Sequence, residues 1–451
     1  MIKLQIKQLL RSKSLGIGLV LLFFLGLISL QIGKSFNERQ QFIIEQTALA
    51  QKEHINRHLK YVDGHIGLLL YYIRFGLANQ SPAIAGLSIG QRDTRQAAQL
   101  INIRNLEEQK NTSELVNPFY QLLGNMDFSF VLIYLFPLII IVLSFNLLSE
   151  EKESGRWSLL CVQSNNPFRV IKAKLLIRLV CVMLLLIVLL LLGSLYLNIS
   201  FNQNLMAFCA HAILYVLFWF VLVWWATSLG KSSNQNALIL LSFWLLLTTI
   251  IPSIVNNVVN YKYPIAAAYE TTIDSRDGYH NKWDEPKEPT LLKFKEHYPQ
   301  FAKYQHPEAA SFSWLWYYAM QQMGDDESAV ARQTMKQKIE NRSKLTKWIG
   351  YFVPSIHTQL SMNFICKTGL HNYLNYMEAL ETYHEDLRLS FYPKIFEEEP
   401  IQNQKWETYN LQYFKEGRPT NWISLLPVII LSFVFLLSAK QNGHQNSKEK
   451  K

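Results

Sequence analysis

Three groups of residues have types and spacings that could do chemistry. Gly230-Lys231-Ser232 reads like the end of a phosphate-binding loop. Such a loop wraps phosphates in backbone amides and needs a glycine five residues before its Gly-Lys pair, and Trp225 stands there instead. The chain is therefore expected to lack a nucleotide-binding motif, not to act as an enzyme, and to hold no catalytic residue or cofactor of its own. His54 and His58 stand one helical turn apart, with Asp63 and His65 further along, and two imidazoles so placed could ligate zinc. The third ligand is two turns away, so the expectation is a solvated polar face and no metal, with His54 and His58 the only candidates. His211 falls inside an apolar run, among Phe208, Cys209, Ile213 and Leu214. Ionisable groups at membrane depth are costly and mark either a transport pathway or a hydrogen bond near the interface. Both readings stay open for His211. No Ser/His/Asp or Cys/His constellation has a recognisable spacing.

Beyond these stands the segment after the second apolar run, Glu150-Glu151-Lys152-Glu153-Ser154-Gly155-Arg156-Trp157-Ser158-Leu159-Leu160. It reads as a short acidic amphipathic helix broken at Gly155. A plain solvated connection needs neither Trp157 nor Leu159-Leu160, whereas a surface that docks a soluble partner uses both.

The elements that would position these residues follow from composition. The chain has 451 residues, 49% hydrophobic and only 17% charged, against about 25% charged in soluble domains. Mean hydropathy is nonetheless +0.04, because nearly pure apolar segments alternate with polar ones. Nineteen glycines, 15 prolines and 4 cysteines exclude collagen-like, low-complexity and disulfide-scaffold classes. A bilayer-spanning helix needs about 20 mostly apolar residues. Six segments qualify: 15–32, 128–148, 175–197, 205–229, 237–259 and 422–439.

Basic residues set the orientation. Lys3, Lys7, Arg11 and Lys13 precede the first segment; Lys152, Arg156, Arg169, Lys172 and Lys174 lie between the second and third; Lys440, Lys448, Lys450 and Lys451 follow the sixth. These regions share one side if six spans alternate, and the positive-inside rule makes that side cytoplasmic. The expected fold is thus an all-α membrane protein of six transmembrane helices, with N- and C-termini cytoplasmic and two mainly helical extracytoplasmic regions. The net charge of +10 then serves topology rather than nucleic-acid binding. Residues 1–14 are read as an amphipathic interfacial helix, 149–174 as a cytoplasmic loop and 440–451 as a basic tail. Residues 33–127 form one outer region and 260–421 a larger one. In the first, Phe36 to Phe75 reads as a single stalk helix with a seam of Ile55, Leu59, Val62, Ile66, Leu69 and Ile73 that wants a partner, either its own domain or a second subunit. In the second, the Trp- and Tyr-rich stretch near Trp314 to Tyr351 is read as core.

The stretch Asn117-Pro118 … Gly124 … Asp127 … Phe130 … Pro137-Leu138 … Ser144 … Glu151-Lys152-Glu153-Ser154-Gly155 … Leu159-Leu160 … Lys174-Leu175 resembles the second span and coupling loop of ABC-2-type (ABC exporter) permease subunits. Members usually have Gly-Thr where this chain has Gly155-Arg156. Phe352-Val353-Pro354-Ser355 … Gly369 … Tyr373 … Tyr383 … Arg388 … Phe391-Tyr392-Pro393 is similar to the subgroup with a large uncharacterised outer domain before the last span. That subgroup includes permeases associated with gliding motility and with nitrous-oxide-reductase maturation. The resemblance implies a multi-pass protein of the bacterial cytoplasmic (inner) membrane, paired with a second permease, identical or paralogous, and with an ABC ATPase subunit in two copies that carries the ATP and Mg. Glu150, Glu151, Glu153, Gly155, Arg156, Trp157, Leu159 and Leu160 would couple to that ATPase; His211, by its depth in the fourth apolar run, is the candidate pathway residue. It also implies a short outer re-entrant element after the fifth span, for which Pro252 and Asn256-Asn257 are the markers. Export of a substrate is the first expectation. The second is mechanotransmission through the stalk to an envelope protein partner, and the third a sensor or scaffold. Membrane lipids are partners in every case, and nucleic acid in none.

Overall fold

The computed structural model describes residues 13–62, 64–110, 125–163, 167–264, 267–307, 310–417 and 420–448. The interfacial helix expected over residues 1–14 lies almost wholly outside them. Six helices are long and apolar enough to cross a membrane: Leu15–Tyr61, Phe128–Glu153, Phe168–Tyr196, Gln203–Ser228, Ser233–Lys262 and Trp422–Asn442. The fourth is the hub, with Phe208, Tyr215, Phe218 and Trp219 fully buried against Leu22 and Leu30 of the first span, Phe136 and Ile140 of the second and Leu186 and Leu189 of the third. Ile17 and Phe24, Leu184 and Leu191, Leu238, Ile430 and Phe433 stay exposed on other faces. In water an apolar surface of that extent would drive association; it suits contact with the hydrocarbon of a membrane.

Prolines shape two of the spans. Pro137 has no N–H to give Ile133, four residues back, and the helix widens to a π-turn over Val131–Leu135. Side chains from neighbouring spans take the freed carbonyls: the Tyr215 hydroxyl donates to Ile133 O at 3.0 Å and the Trp244 indole N–H to Tyr134 O at 3.0 Å. The fifth span repeats the pattern before Pro252, with a π-turn over Leu246–Ile250 and Ser355 Oγ donating to Leu247 O. Pro252, Asn256 and Asn257 therefore sit inside the helix Ile251–Lys262 that continues the span. The expected re-entrant element is not there; the π-turn absorbs the missing hydrogen bond and lets the helix run on.

The regions 33–127 and 260–421 build one domain at one end of the bundle, not two, and that domain is not all-α. The first span continues without a break into the domain as a helix of 49 residues, Lys13–Tyr61, about 74 Å long. It stops before Gly64, whose φ of +102° suits glycine alone, and resumes as Ile66–Tyr72. Phe75, expected at the end of the stalk helix, instead begins the fully buried strand β1 (Phe75–Asn79). Strand β1 pairs antiparallel with β2 (Ala98–Ile101) and parallel with β3 (Gln412–Phe414), so strands from both regions share one sheet in the order β2-β1-β3. A five-residue apolar strand at a helix end carries no alternation that separates it from helix, which is why periodicity misses it.

The seam on the stalk finds its partner within the chain. Ile55, Ile66, Leu69 and Ile73 are buried with Phe75, Tyr317, Tyr318, Leu380, Phe391 and Tyr392, and Leu59 and Val62 pack on the same cluster. Gln51, one turn below, accepts from Gly76 N at 2.8 Å and donates to Tyr409 O at 2.9 Å, locking the long helix to both parts of the domain. The aromatic stretch divides by position. Trp316, Tyr317 and Tyr318 are core, whereas Trp348, Tyr351 and Phe352 are exposed where the helix Ala329–Gly350 returns to the bundle.

Candidate coupling site

At the end of the bundle opposite the domain, the second span turns through an elbow of two helices, Ser149–Glu153 and Arg156–Gln163. Gly155 is the corner. Its φ is +73°, a conformation costing other residues roughly 1–2 kcal/mol, and a Cβ there would touch nothing within 4 Å. The elbow places all eight residues expected at the site on one short structure.

Its acidic arm is tied down by its side chains, with Glu151 buried and Glu150 and Glu153 at the surface. Glu151 is 5% exposed and pairs with both Lys174 at the start of the third span and Arg156 Nε at 3.1 Å. Glu150 accepts from Asn146 Nδ2 at 3.0 Å and Arg156 Nη2 at 3.3 Å. Glu153 accepts from the Ser233 N–H and hydroxyl, both at 2.8 Å, at the start of the fifth span, and Lys152 donates to Gly230 O at 3.2 Å. The first arm is therefore fastened to the third span, to the start of the fifth and to the turn before it. The second is the reverse: none of its residues is buried. Leu159 is 59% and Val162 87% exposed, Leu160 is half-buried, and the Trp157 ring packs edge-on against Phe168 at 5.5 Å. This is a lever, with one arm tied to spans three and five and the other presenting apolar residues outward.

Two partners were missed by sequence reasoning. Val162 lies one turn past Leu159 and extends the same apolar face. Ser233 had a visible signal, because Ser232 and Gln235 have the capping-box spacing that starts the fifth span. Gly230-Lys231-Ser232 is thus a turn and helix cap.

The remaining candidates lie elsewhere. His211 is buried near the domain end of the fourth span, with Nδ1 at 2.8 Å from Ala207 O and Nε2 at 3.0 Å from Ser424 Oγ; His357 Nε2 meets Ser424 O at 2.5 Å. It ties span four to the start of span six, the hydrogen-bonding alternative for this residue. His54 and His58 face Tyr72 O and His54 O, at 2.9 and 2.8 Å, and their rings stand 4.2 Å apart. Burial lowers the His54 pKa. Among the described residues no three His, Cys, Asp or Glu side chains gather to hold a metal.

The domain is built on a second charged cluster. Arg388, 2% exposed, pairs with Asp325 at 2.8 Å and donates to Ile103 O, Arg104 O and Gln322 Oε1 at 3.1, 2.8 and 2.5 Å. Asp325 accepts from Leu106 N and Glu107 N at 2.8 and 3.2 Å. Four of these six bonds, to Ile103 O and Arg104 O and from Leu106 N and Glu107 N, join region 33–127 to region 260–421.

Residues 268–412 match a family described as a domain of unknown function (DUF3526). That stretch covers most of the domain and none of the six spans. No curated protein and no solved structure matches the chain.

Proposed function

We propose that the chain is the membrane permease subunit of an ATP-driven exporter of the ABC-2 type, with ATP hydrolysed by a separate subunit docked on the elbow. The observation that carries this is the asymmetry of the elbow. One arm is clamped to spans two, three and five by Glu151, Lys152 and Glu153, while the other exposes Leu159 and Val162. A soluble partner gripping the exposed arm would move three spans through the clamped one. The basic residues Arg169, Lys172 and Lys174 beside the elbow support a cytoplasmic position for it by the positive-inside rule, with the domain on the other side. The domain-of-unknown-function match before the last span accords with the permease subgroup that the sequence resembles. Arg156, where relatives have threonine, reaches back to Glu150 and Glu151 and so keeps the corner closed.

A second reading, mechanotransmission to an envelope partner, draws on the unbroken helix Lys13–Tyr61 that enters the domain core. The two differ in whether a molecule crosses the bilayer. In membranes where the chain and its ATPase are reconstituted together, Glu153→Lys with Gly155→Leu is expected to abolish ATP turnover that depends on the chain. Unchanged turnover in that double variant refutes docking at the elbow. Turnover without any molecule accumulating in the vesicle favours the second reading.

A further inference from the structure

Two adjoining cavities lie where the domain meets the bundle. The first, about 430 Å3, has basic and polar side chains prominent in its lining. Arg95, Arg342, Lys347 and Lys367 line it together with a single carboxylate, Glu416. Glu416 is engaged by Asn372 and Asn375, at 2.8 and 2.7 Å, rather than by any of the four cations. Arg342 donates to Tyr263 O and Lys367 to Glu416 O, and Arg95 lies 3.8 Å over the Tyr373 ring and donates to Gln91. Among the described residues, none of the four has a carboxylate within ion-pair distance. Four cations are therefore gathered here against one carboxylate, which pairs with none of them.

The second cavity, about 510 Å3, is apolar. Phe352 and Phe364 form one wall and Ile423, Leu426 and Ile430 of the sixth span the other. Lys347, Leu360 and Phe364 line both cavities, so the two are compartments of one cleft. Their order along the membrane normal is set by the sixth span, which begins at Trp422. Ile430 lies eight residues on, about 12 Å deeper into the apolar layer, whereas the basic compartment reaches only the last turns of the fifth span at Asn256, Val259 and Asn260. The wall between them is formed by Leu360 and Phe364 of the helix Pro354–Ile365 and by the end of the helix Ala329–Gly350, which carries six cations against one acid and lands on Trp348, Tyr351 and Phe352, 61%, 48% and 64% exposed. Aromatic side chains with wet tips settle at a bilayer interface.

We propose that this cleft binds an anionic amphiphile, with a phosphate- or carboxylate-bearing head among Arg95, Arg342, Lys347 and Lys367 and an acyl chain between Phe364 and the sixth span. A water-filled apolar pocket opening at hydrocarbon depth is unfavourable, and a lipid chain from the same leaflet fills it without a desolvation cost. The unpaired cations select against zwitterionic heads. The inference requires that the six helices lie in a bilayer and does not depend on ATP coupling.

The test is native mass spectrometry of the full chain released from detergent, titrated with palmitoyl-oleoyl phosphatidylglycerol or with the phosphatidylcholine of identical chains. One phosphatidylglycerol is expected to bind in preference to phosphatidylcholine. Lys347→Glu, at an exposed position, should weaken phosphatidylglycerol binding about tenfold and leave phosphatidylcholine unchanged, while Lys347→Arg retains it. Leu426→Trp, which fills the apolar compartment, should weaken both lipids. Inorganic phosphate at the same concentration should not compete, because it lacks the chain. Equal binding of the two lipids, or indifference to Lys347→Glu and Leu426→Trp, overturns the proposal. So does a disulfide dimer formed through Ile423→Cys in a Cys161→Ser background, which would assign the cleft to a second copy.

Discussion

The two ends of the molecule use the same pairing of carboxylate and cation for opposite ends. In the domain, Arg388 and Asp325 are both buried, and their hydrogen bonds join two distant stretches of chain into one body. At the elbow, Glu151 is equally buried, but its partners Lys174 and Arg156 sit on the next span and across a glycine corner, and the helix beyond has no buried residue. Burying an ion pair is weak evidence of stabilisation, because desolvation offsets the attraction; removing one partner is what costs heavily. The knot is therefore a static joint whose loss unfolds something. The elbow, in the proposed coupling, is a hinge whose loss disconnects something.

That contrast is broken most forcefully at Arg388. Arg388→Met strands the Asp325 carboxylate in the core and should cost about 3–5 kcal/mol, seen as a lower melting temperature and faster proteolysis of the domain. If the domain melts as before, the knot is not the joint. Glu151→Gln should cost about 2 kcal/mol, and locally: hydrogen exchange rises over Ser149–Gln163 while domain melting stays put. A fall in domain melting would erase the distinction between the two ends.

Acid sharpens the comparison from the domain side. His384, buried with Nε2 2.8 Å from Arg104 O, has its pKa held well below the usual value by burial and by nearby Arg388 and Lys110. The folded domain thus binds fewer protons than the unfolded chain below pH 6.5, so stability is full above that pH and falls as pH drops, by about 1.4 kcal/mol per pH unit. His384→Gln should flatten melting temperature against pH in that range; an unchanged slope contradicts it. The smallest effect is at Gly155→Ala. With nothing near the added Cβ, the cost is the backbone's alone, roughly 1 kcal/mol, read as altered exchange at the elbow without change in the domain.

Legibility in the sequence followed the range of the interactions. Apolar runs of twenty residues and the seam Ile55 to Ile73 are local patterns, and the six helices and the packed face of the stalk follow from them. The break at Gly155 was equally local, since a glycine among charged helix formers marks a corner. Strand β1 was not legible, because its pairing with β3 spans more than 300 residues and its five residues carry no alternation of their own. The same holds for the single domain made of two regions. The seam asked for a partner but could not tell a neighbouring domain from a second subunit. At the site, the residue types of Glu150 to Leu160 pointed to docking, yet nothing in their order distinguishes Glu151, turned to Lys174, from Leu159, turned to solvent. That division comes from the corner angle and from Ser233, which approaches from the next loop.

In the proposed exporter, a partner's ATP hydrolysis enters the membrane helices at the exposed arm of the elbow. Leu159→Asp with Val162→Asp changes only that surface. With the full-length chain isolated from its own membranes with its partners, and ATP turnover measured per chain, the wild type should carry an ATPase whose turnover depends on the chain. The double variant should lose both the subunit and the turnover while the domain melts unchanged. Equal ATPase content and turnover in the two preparations would contradict the account.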